Sequence, residues 1–326
     1  MRRILLLYIS VLCLGACTPQ NPPLDNTSII RYDRELLNYI HSDDSCEEHN
    51  LIARHNKFHP LYCEAILQLP SSTIEDVRTR LSRSDMKALY SATDSLFGDM
   101  FTIEKEIQEA FSRYRRLLPS HTLPDSIYTH ISGLQQQIIN VENIVSISLD
   151  HYLGQDYPPY LSLFHPYQLK RKGPEYIVPD LLRVILYTRT PITLNTPNLL
   201  QELIYEGKVI YTLHRLLPDV PIERLLGYTS EELRWCKDNE SLMWNKLIQN
   251  NVLYTTHRIT IEKYMAPAPF TAPFTSMAPG QAGRYIGWRI IEEYMKNTSC
   301  DMEQLWHATD EINIIKTANY NGKNNE

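Results

Sequence analysis

The sequence predicts a mainly helical α+β domain with one small sheet. Apolar residues recur at helical spacing through most of the second half. Residues 126–131 and 144–149, near the middle, have the alternation of short strands. Hydrophobic residues make up 43% of the 326 residues, and we find no internal repeat or Gly/Ser linker. These observations favour a single α+β domain over residues 28–318.

Local signals place the individual elements. Residues 28–32 favour a strand, and helices are expected over residues 34–40, 74–81, 85–91 and 103–118. Thr196-Pro197 predicts an N-cap with proline at the first helical position, for a helix ending near Leu217. Thr229 and Glu232 form a capping box for a helix to about Gln249. Helices over residues 283–296 and about 302–312 precede a polar tail, residues 319–326, that we expect to be loose.

The N-terminus has the pattern of a lipoprotein signal peptide. Arg2 and Arg3 precede an apolar run, residues 4–14, that is too short to span a bilayer. The run ends in Leu14-Gly15-Ala16-Cys17, the pattern of a lipobox. Residues 1–16 are therefore predicted to be removed, leaving Cys17 as the lipid attachment site. An ordinary secretory signal cut after Ala16 is the alternative, but the A-x-A pattern is absent.

A lipid on Cys17 would make the membrane the first partner of this chain. Three acyl chains of the palmitate type bind a bilayer far more firmly than one chain. The following Pro/Asn-rich residues, 17–27, read as a lipidated tether. Thr18 is not the aspartate that marks inner-membrane retention in other lipoproteins, so we favour the cell envelope at the periplasmic face of the outer membrane.

The charge of the chain argues against a nucleic-acid partner. The formal net charge is −6, and it becomes −8 when the signal segment with Arg2 and Arg3 is removed. No basic stripe is present to bind phosphates. Four further cysteines, Cys46, Cys63, Cys236 and Cys300, allow three disulfide connectivities, and we prefer the one that joins Cys46 to Cys63. Cys236 can equally be a small buried apolar residue.

Two acidic residues interrupt apolar helix faces. Glu206 lies between Leu203 and Ile210, and Glu240 lies on a face that includes Cys236 and Trp244. A buried carboxylate must be paired, protonated or bound to a metal. Arg284, at the start of the helix over residues 283–296, is the expected counter-charge because a guanidinium can pair two carboxylates. We expect the three residues to form one cluster, either as a buried structural network or as part of a binding pocket.

No sequence motif indicates a metal site, a cofactor or a catalytic residue. H-E-x-x-H, G-x-S-x-G and Walker patterns are absent. His55 and His59 are spaced four residues apart without the intervening glutamate, and we expect a surface pair. Gly280, Gly283 and Gly287 lack the lysine of a phosphate loop and are better explained by turns and close helix packing.

Several segments together resemble the gliding-motility lipoprotein family GldB. They begin with Asp150-His151-Tyr152-Leu153-Gly154, Tyr176-Ile177-Val178-Pro179-Asp180 and Tyr205-Glu206-Gly207-Lys208. Trp235-Cys236-Lys237-Asp238-Asn239-Glu240 and Gly283-Arg284-Tyr285-Ile286-Gly287-Trp288 follow in the same order. The resemblance implies a lipid-anchored envelope protein of the gliding motility and type IX secretion machinery, with other proteins of that machinery as partners.

That family in turn is distantly similar to zinc peptidases of the gluzincin type. The similarity implies a degenerate peptidase-like domain, with Glu206-Gly207 in the place of the third metal ligand. The helix that should carry H-E-x-x-H contains no histidine from Asp180 to Leu186. A pseudo-enzyme without catalysis is therefore expected. The alternatives are a periplasmic peptide- or glycan-binding lipoprotein and a residual hydrolase that uses Glu206 or Glu240.

Overall fold

The computed structural model describes residues 27–42, 45–192 and 194–322, with the backbone alone for residues 42 and 45–48. The predicted signal peptide, Cys17 and most of the tether lie outside these residues. In the part of the chain that is described, the fold is mainly helical with one small sheet, as the sequence predicts. No helix within that part is long and apolar enough to cross a membrane.

A short strand and six helices form the N-terminal third. They are β1 (Ile29–Ile30), α1 (Tyr32–Ser42), α2 (Ser45–Arg54), α3 (Phe58–Leu61), α4 (Ile74–Leu81), α5 (Ser84–Leu96) and α6 (Phe101–Leu117). A π-helical turn, Tyr62–Ile66, follows α3. The predicted surface pair His55 and His59 is wrong: their exposed fractions are 5% and 1%. Both histidines belong to a buried aromatic cluster around Tyr32, whose hydroxyl lies 2.6 Å from His59 Nδ1.

The sheet is mixed and has the order β1-β2-β4-β3. The remaining strands are β2 (Ser126–His130), β3 (Ile138–Val141) and β4 (Ile144–Ser148). β2 pairs in parallel with β1 and with β4, whereas β3 pairs antiparallel to β4. The two central strands, β2 and β4, are almost fully buried, and the segment that follows β4 is therefore also in the interior. That segment is the 3-10 turn Leu149–His151.

The second half is a helical assembly around α10 and α15. Its helices are α7 (Pro158–Leu163), α8 (Pro166–Leu169), α9 (Ile177–Arg189), α10 (Leu199–Leu216), α11 (Ile222–Leu226), α12 (Ser230–Asp238), α13 (Glu240–Gln249), α14 (Arg258–Met265), α15 (Gly283–Lys296), α16 (Met302–His307) and α17 (Glu311–Ala318). α9 packs on α10 and on β3, and α17 packs on α15.

Two glycines bring α10 and α15 into backbone contact. A Cβ atom on Gly207 would lie closer than 3.0 Å to the carbonyl oxygen of Gly287, and one on Gly287 would meet the carbonyl of Leu203 equally closely. Glycine is required at both positions because any side chain would push the helices apart. The crossing places Glu206, the neighbour of Gly207, beside the first turn of α15.

Several helix boundaries differ from the sequence predictions. The single helix expected over about residues 302–312 is two helices, α16 and α17. α10 begins at Leu199 with Asn198 as its N-cap, because the Asn198 side chain accepts the Gln201 N–H at 2.9 Å; Thr196 and Pro197 lie before the cap. The capping box of Thr229 and Glu232 is present, but its helix ends at Asp238 and α13 follows as a separate helix.

The predicted loose tail is wrong for residues 319–322. Tyr320 is 7% exposed, and its hydroxyl donates to Glu240 Oε1 at 2.9 Å. The Ser241 hydroxyl donates to the Gly322 carbonyl, and the Tyr320 ring packs edge-on against Trp244. The segment after α17 therefore closes over α13 and forms part of the core.

The described cysteines are free thiols. Cys63 is buried with its Sγ 3.6 Å from His59 Nε2, so the preferred bond to Cys46, whose side chain is outside the description, is not formed. Cys236 is a fully buried apolar contact of α12, which agrees with the alternative given for it. Cys300 is free and partly buried.

Candidate functional site

Glu206 lies between two guanidinium groups at the junction of α9, α10 and α15. Arg284 Nε lies 3.1 Å from Glu206 Oε2, and Arg183 Nη1 lies 3.6 Å from the same oxygen. The Tyr187 hydroxyl donates to Glu206 Oε1 at 2.6 Å. The carboxylate side chain is 13% exposed. One carboxylate is therefore shared by two cations, and the junction keeps one positive charge in excess.

Glu240 belongs to a second and more deeply buried cluster. Its Oε1 accepts from Arg289 Nε at 3.3 Å and from the Tyr320 hydroxyl, while its Oε2 accepts from the Tyr285 hydroxyl at 2.7 Å. Glu240 is 2% exposed. The burial and the adjacent carboxylate together raise the pKa of Tyr285 far above its usual value. This cluster ties α13, α15 and the C-terminal segment together.

The expectation that Glu206, Glu240 and Arg284 form one cluster is wrong, and helix geometry gives the reason. Arg284 lies at Glu206 as expected, but Arg289 is the cation at Glu240. Five residues of an α-helix correspond to a rotation of about 140°, so Arg284 and Arg289 point to different sides of α15. Sequence reasoning missed Arg289, although a charged residue between Trp288 and Ile290 was a detectable signal, since an apolar run seldom contains an unpaired charge.

A cleft of about 470 Å³ adjoins this junction, and Arg183 of α9 contributes to both. Four cationic residues line it, together with the acidic Asp180 and several glutamines and apolar residues. The cations are Lys170, Arg171, Lys172 and Arg183. Arg171 pairs with Asp180, and Lys170 pairs with Glu232 at 2.7 Å. Lys172 has no ion-pair partner among the described residues.

Lys172 and His151 form a buried pair at the wall of this cleft. Lys172 Nζ donates to His151 Nδ1 at 2.8 Å and lies 4.0 Å from the centre of the Phe164 ring. Burial lowers the pKa of Lys172 to about 8. Burial, together with the neighbouring ammonium, lowers the pKa of His151 to about 3. The imidazole is therefore neutral, and because Nδ1 accepts from Lys172, the proton is on Nε2.

Asp150, the neighbour of His151, has a structural position. Its carboxylate accepts the backbone N–H groups of Ser132 at 3.1 Å and Leu134 at 2.8 Å, as well as the Ser148 hydroxyl. Burial raises the pKa of Asp150. These bonds fix the loop after β2 to the end of β4, which holds His151 in place at the cleft.

Comparison with known families gives one match. The model of the family described as gliding motility protein GldB matches residues 19–322. This chain belongs to the GldB family. It is accordingly a gliding-motility-associated lipoprotein of the cell envelope. No curated protein and no solved structure matches it significantly.

The structure of this GldB-family chain shows what stands near Glu206 on α9. Arg183 and Tyr187 are four residues apart, the spacing of the two histidines in H-E-x-x-H, and both face Glu206. Within the described residues, no three His, Cys, Asp or Glu side chains lie close enough together to hold a metal ion. A guanidinium and a phenol from α9 therefore contact the carboxylate, and α9 is the helix in which the gluzincin resemblance would require H-E-x-x-H. The resemblance itself stays a prediction, since no solved structure matches.

Another segment that carries the GldB resemblance contains Lys208, which serves the packing of α16. Lys208 is 6% exposed and donates to the carbonyl of Ala308, the C-cap residue of α16. Burial lowers the pKa of Lys208 to about 8. An ammonium at a helix C-terminus satisfies a free carbonyl and complements the helix dipole. Sequence reasoning did not single out Lys172, Arg183 or Lys208 as buried, because lysine and arginine side chains usually lie at the protein surface.

Proposed function

We propose that this protein is a lipid-anchored, non-catalytic component of the gliding motility and type IX secretion machinery. It acts at the periplasmic face of the outer membrane and binds other proteins of that machinery through its α+β domain. The family match carries the motility assignment, because it covers nearly the whole chain and begins two residues after Cys17.

The lipid anchor rests on the lipobox. Cys17 follows a small-residue pair and a basic, apolar leader of the length used by signal peptides. The absence of an aspartate at Thr18 supports the outer membrane as the destination. A stably inserted lipid would hold the domain at the surface without any help from basic patches.

The chemistry around Glu206 supports a non-catalytic role. A zinc peptidase of the gluzincin type uses two histidines and a glutamate as ligands and a second glutamate as general base. In this chain, Arg183 and Tyr187 contact Glu206, and the segment from Asp180 to Leu186 contains neither a histidine nor a glutamate. Two guanidinium groups lie at Oε2 of this carboxylate and the Tyr187 hydroxyl bonds to Oε1, so both oxygens already have partners within the protein.

Genetic replacement in the bacterium that carries this protein tests the proposal. The gene is deleted and restored as the wild type, as Cys17→Ser, or as Cys13→Ser, a matched change of the other leader cysteine. Colony spreading, secretion of type IX cargo and labelling with a fatty acid are measured. Wild type and Cys13→Ser should restore all three, whereas Cys17→Ser should lose labelling and spreading. Normal spreading of the deletion strain would contradict the motility role, and labelled Cys17→Ser protein would contradict the anchor.

A variant of the junction tests the absence of catalysis. Glu206→Gln keeps the size of the side chain and its bond from Tyr187. If the protein is non-catalytic, Glu206→Gln protein that accumulates to the normal level should restore spreading. Complete loss of spreading with normal protein level and fold would favour the residual hydrolase.

A further inference from the structure

The charges around the cleft beside α9 do not cancel. Lys170 and Arg171 are neutralised by Glu232 and Asp180. Lys172 has no carboxylate within ion-pair distance in the described part of the chain, and Arg183 shares Glu206 with Arg284. The side of α9 that faces the cleft therefore has a positive excess although the chain as a whole is acidic.

Several hydrogen-bond donors at the cleft are buried and unused. His151 Nε2 has no partner in the described residues, and Arg183 Nε donates no hydrogen bond there. Arg183 Nη1 donates no hydrogen bond either, and its described contact is the 3.6 Å ion pair with Glu206. His151 is 4% exposed and Arg183 is 6% exposed, and both line the cleft. A buried donor without an acceptor costs about 1–3 kcal/mol. A bound ligand with acceptor groups could supply the missing partners.

We propose that this cleft binds the oxyanion group, a carboxylate or a phosphate, of a small ligand. The Lys172 ammonium, the Arg183 guanidinium and the His151 Nε2–H present donors and positive charge to an acceptor-only group. A volume of about 470 Å³ lies within the range of small-molecule sites. The glutamines Gln135, Gln168 and Gln281 and the apolar Phe164 and Val184 also line the cleft and suit a ligand body that is part polar and part apolar.

This site is independent of the motility role, because it concerns binding by the purified protein. The obvious alternative is a dry structural cluster. Lys172 argues against it, because the other buried ammonium in the described residues, Lys208, donates to a backbone carbonyl, whereas the described contacts of Lys172 include no oxygen acceptor. The ring of Phe164 and the neutral His151 solvate the ammonium in part but leave its charge uncompensated.

Thermal unfolding of the full-length lipoprotein in a neutral detergent tests the proposal. The midpoint is measured in sodium phosphate, in sodium succinate and in sodium chloride of matched ionic strength, at pH 7. Variants are Lys172→Met, Lys172→Arg and the control Lys87→Met, which removes an exposed lysine away from the cleft. At ten times the dissociation constant, an oxyanion should raise the midpoint of the wild type by about 2 °C.

The outcomes separate the two sources of the oxyanion. A rise with phosphate alone assigns a phosphate ligand, a rise with succinate alone assigns a carboxylate ligand, and either supports the site. The rise should persist in Lys87→Met and Lys172→Arg and be lost in Lys172→Met. An equal rise in Lys172→Met would overturn the proposal. So would the absence of a rise with either anion at concentrations up to 50 times the lowest one used, each matched in ionic strength with sodium chloride. Lys172→Arg keeps the test valid if Lys172→Met fails to fold.

Discussion

Arg284 and Glu206 form an ion pair across the crossing of α10 and α15, with 3.1 Å between Nε and Oε2. Their side chains are 12% and 13% exposed. The carboxylate has Arg183 and Tyr187 as further partners. Loss of Arg284 therefore leaves Glu206 paired, whereas Glu240 depends on Arg289 for its cation. The two arginines lie on one helix and offer a direct comparison.

Arg284→Met should destabilise the protein only moderately. The expected loss in the free energy of unfolding is about 1–2 kcal/mol at pH 7, because one charge-assisted contact disappears but the carboxylate stays paired. Chemical denaturation monitored by tryptophan fluorescence gives this value. If Arg284→Met lost more free energy of unfolding than the Arg289→Met variant described next, Arg183 would not be an effective partner of Glu206.

Arg289→Met should be much more damaging. Glu240 is 2% exposed, and of its described partners only the hydroxyls of Tyr285 and Tyr320 would remain. Removal of one partner of a buried ion pair costs about 3–5 kcal/mol. The same denaturation experiment applies, and Arg284→Met is its matched control. A midpoint equal to that of the wild type would refute the structural role of the Glu240 cluster.

Gly287→Ala should separate α10 from α15. The added methyl group would overlap the backbone carbonyl of Leu203, which cannot rotate away. Overpacking of this kind costs about 1–3 kcal/mol or more. Gly98→Ala is the control, since its methyl group would meet Asp94 O at an ordinary 3.4 Å. Equal thermal midpoints for the two variants would contradict the close crossing.

His130 should make the protein sensitive to acid. Burial lowers the pKa of His130 to about 3. The unfolded chain therefore binds a proton below about pH 6.5 that the folded protein does not take up until about pH 3, so stability falls as the pH falls between these values. The slope for one group is about 1.4 kcal/mol per pH unit.

The variant His130→Asn removes this group and keeps a polar contact for Ser146, whose Oγ lies 2.6 Å from His130 Nδ1. The stability difference between wild type and His130→Asn should shrink by about 2 kcal/mol from pH 7 to pH 5. His257→Asn changes an exposed histidine and is the control. A pH-independent difference for His130→Asn would show that burial does not lower the pKa of His130 in the folded protein.

Oxyanion binding at the cleft should weaken at alkaline pH. The Lys172 ammonium has a pKa of about 8; it faces His151 and the ring of Phe164, with Asp150, Asp180 and Arg171 acting on its charge. As Lys172 loses its proton, the dissociation constant for succinate should rise about tenfold from pH 7 to pH 9. Calorimetric titration measures this. A constant affinity over the interval would remove Lys172 from the site.

The helices were predictable where one apolar face dominates. α4, α10 and α15 follow the expected periodicity closely, because each buries one stripe against the core. β3 was missed because Ile138–Val141 lies at the sheet edge and is only partly buried, so it has no clear alternation. Asn198, not Thr196, caps α10, and both residues suit that position by type.

The candidate site was predictable only in part. Glu206 and Arg284 were found because a charge in an apolar stripe needs a partner. The assignment of Glu240 to Arg284 was wrong, since the choice between Arg284 and Arg289 depends on the rotation of α15 against α13. The cleft could not be found, because Lys172 and His151 come together through the fold of the segment between β4 and α9 and not through any spacing in the sequence.

The edge strand β1 has a mechanical consequence. It is the first paired element of the described chain, and two of its residues pair with β2. The Ile29 N–H donates to the Glu104 carboxylate, and the Gln108 side-chain amide donates to the Thr27 carbonyl. With the proposed lipid on Cys17, the ten residues to Thr27 span at most about 35 Å. Any tension between the membrane and the moving machinery would enter the domain at these few bonds, so this edge would yield before the core of α10 and α15.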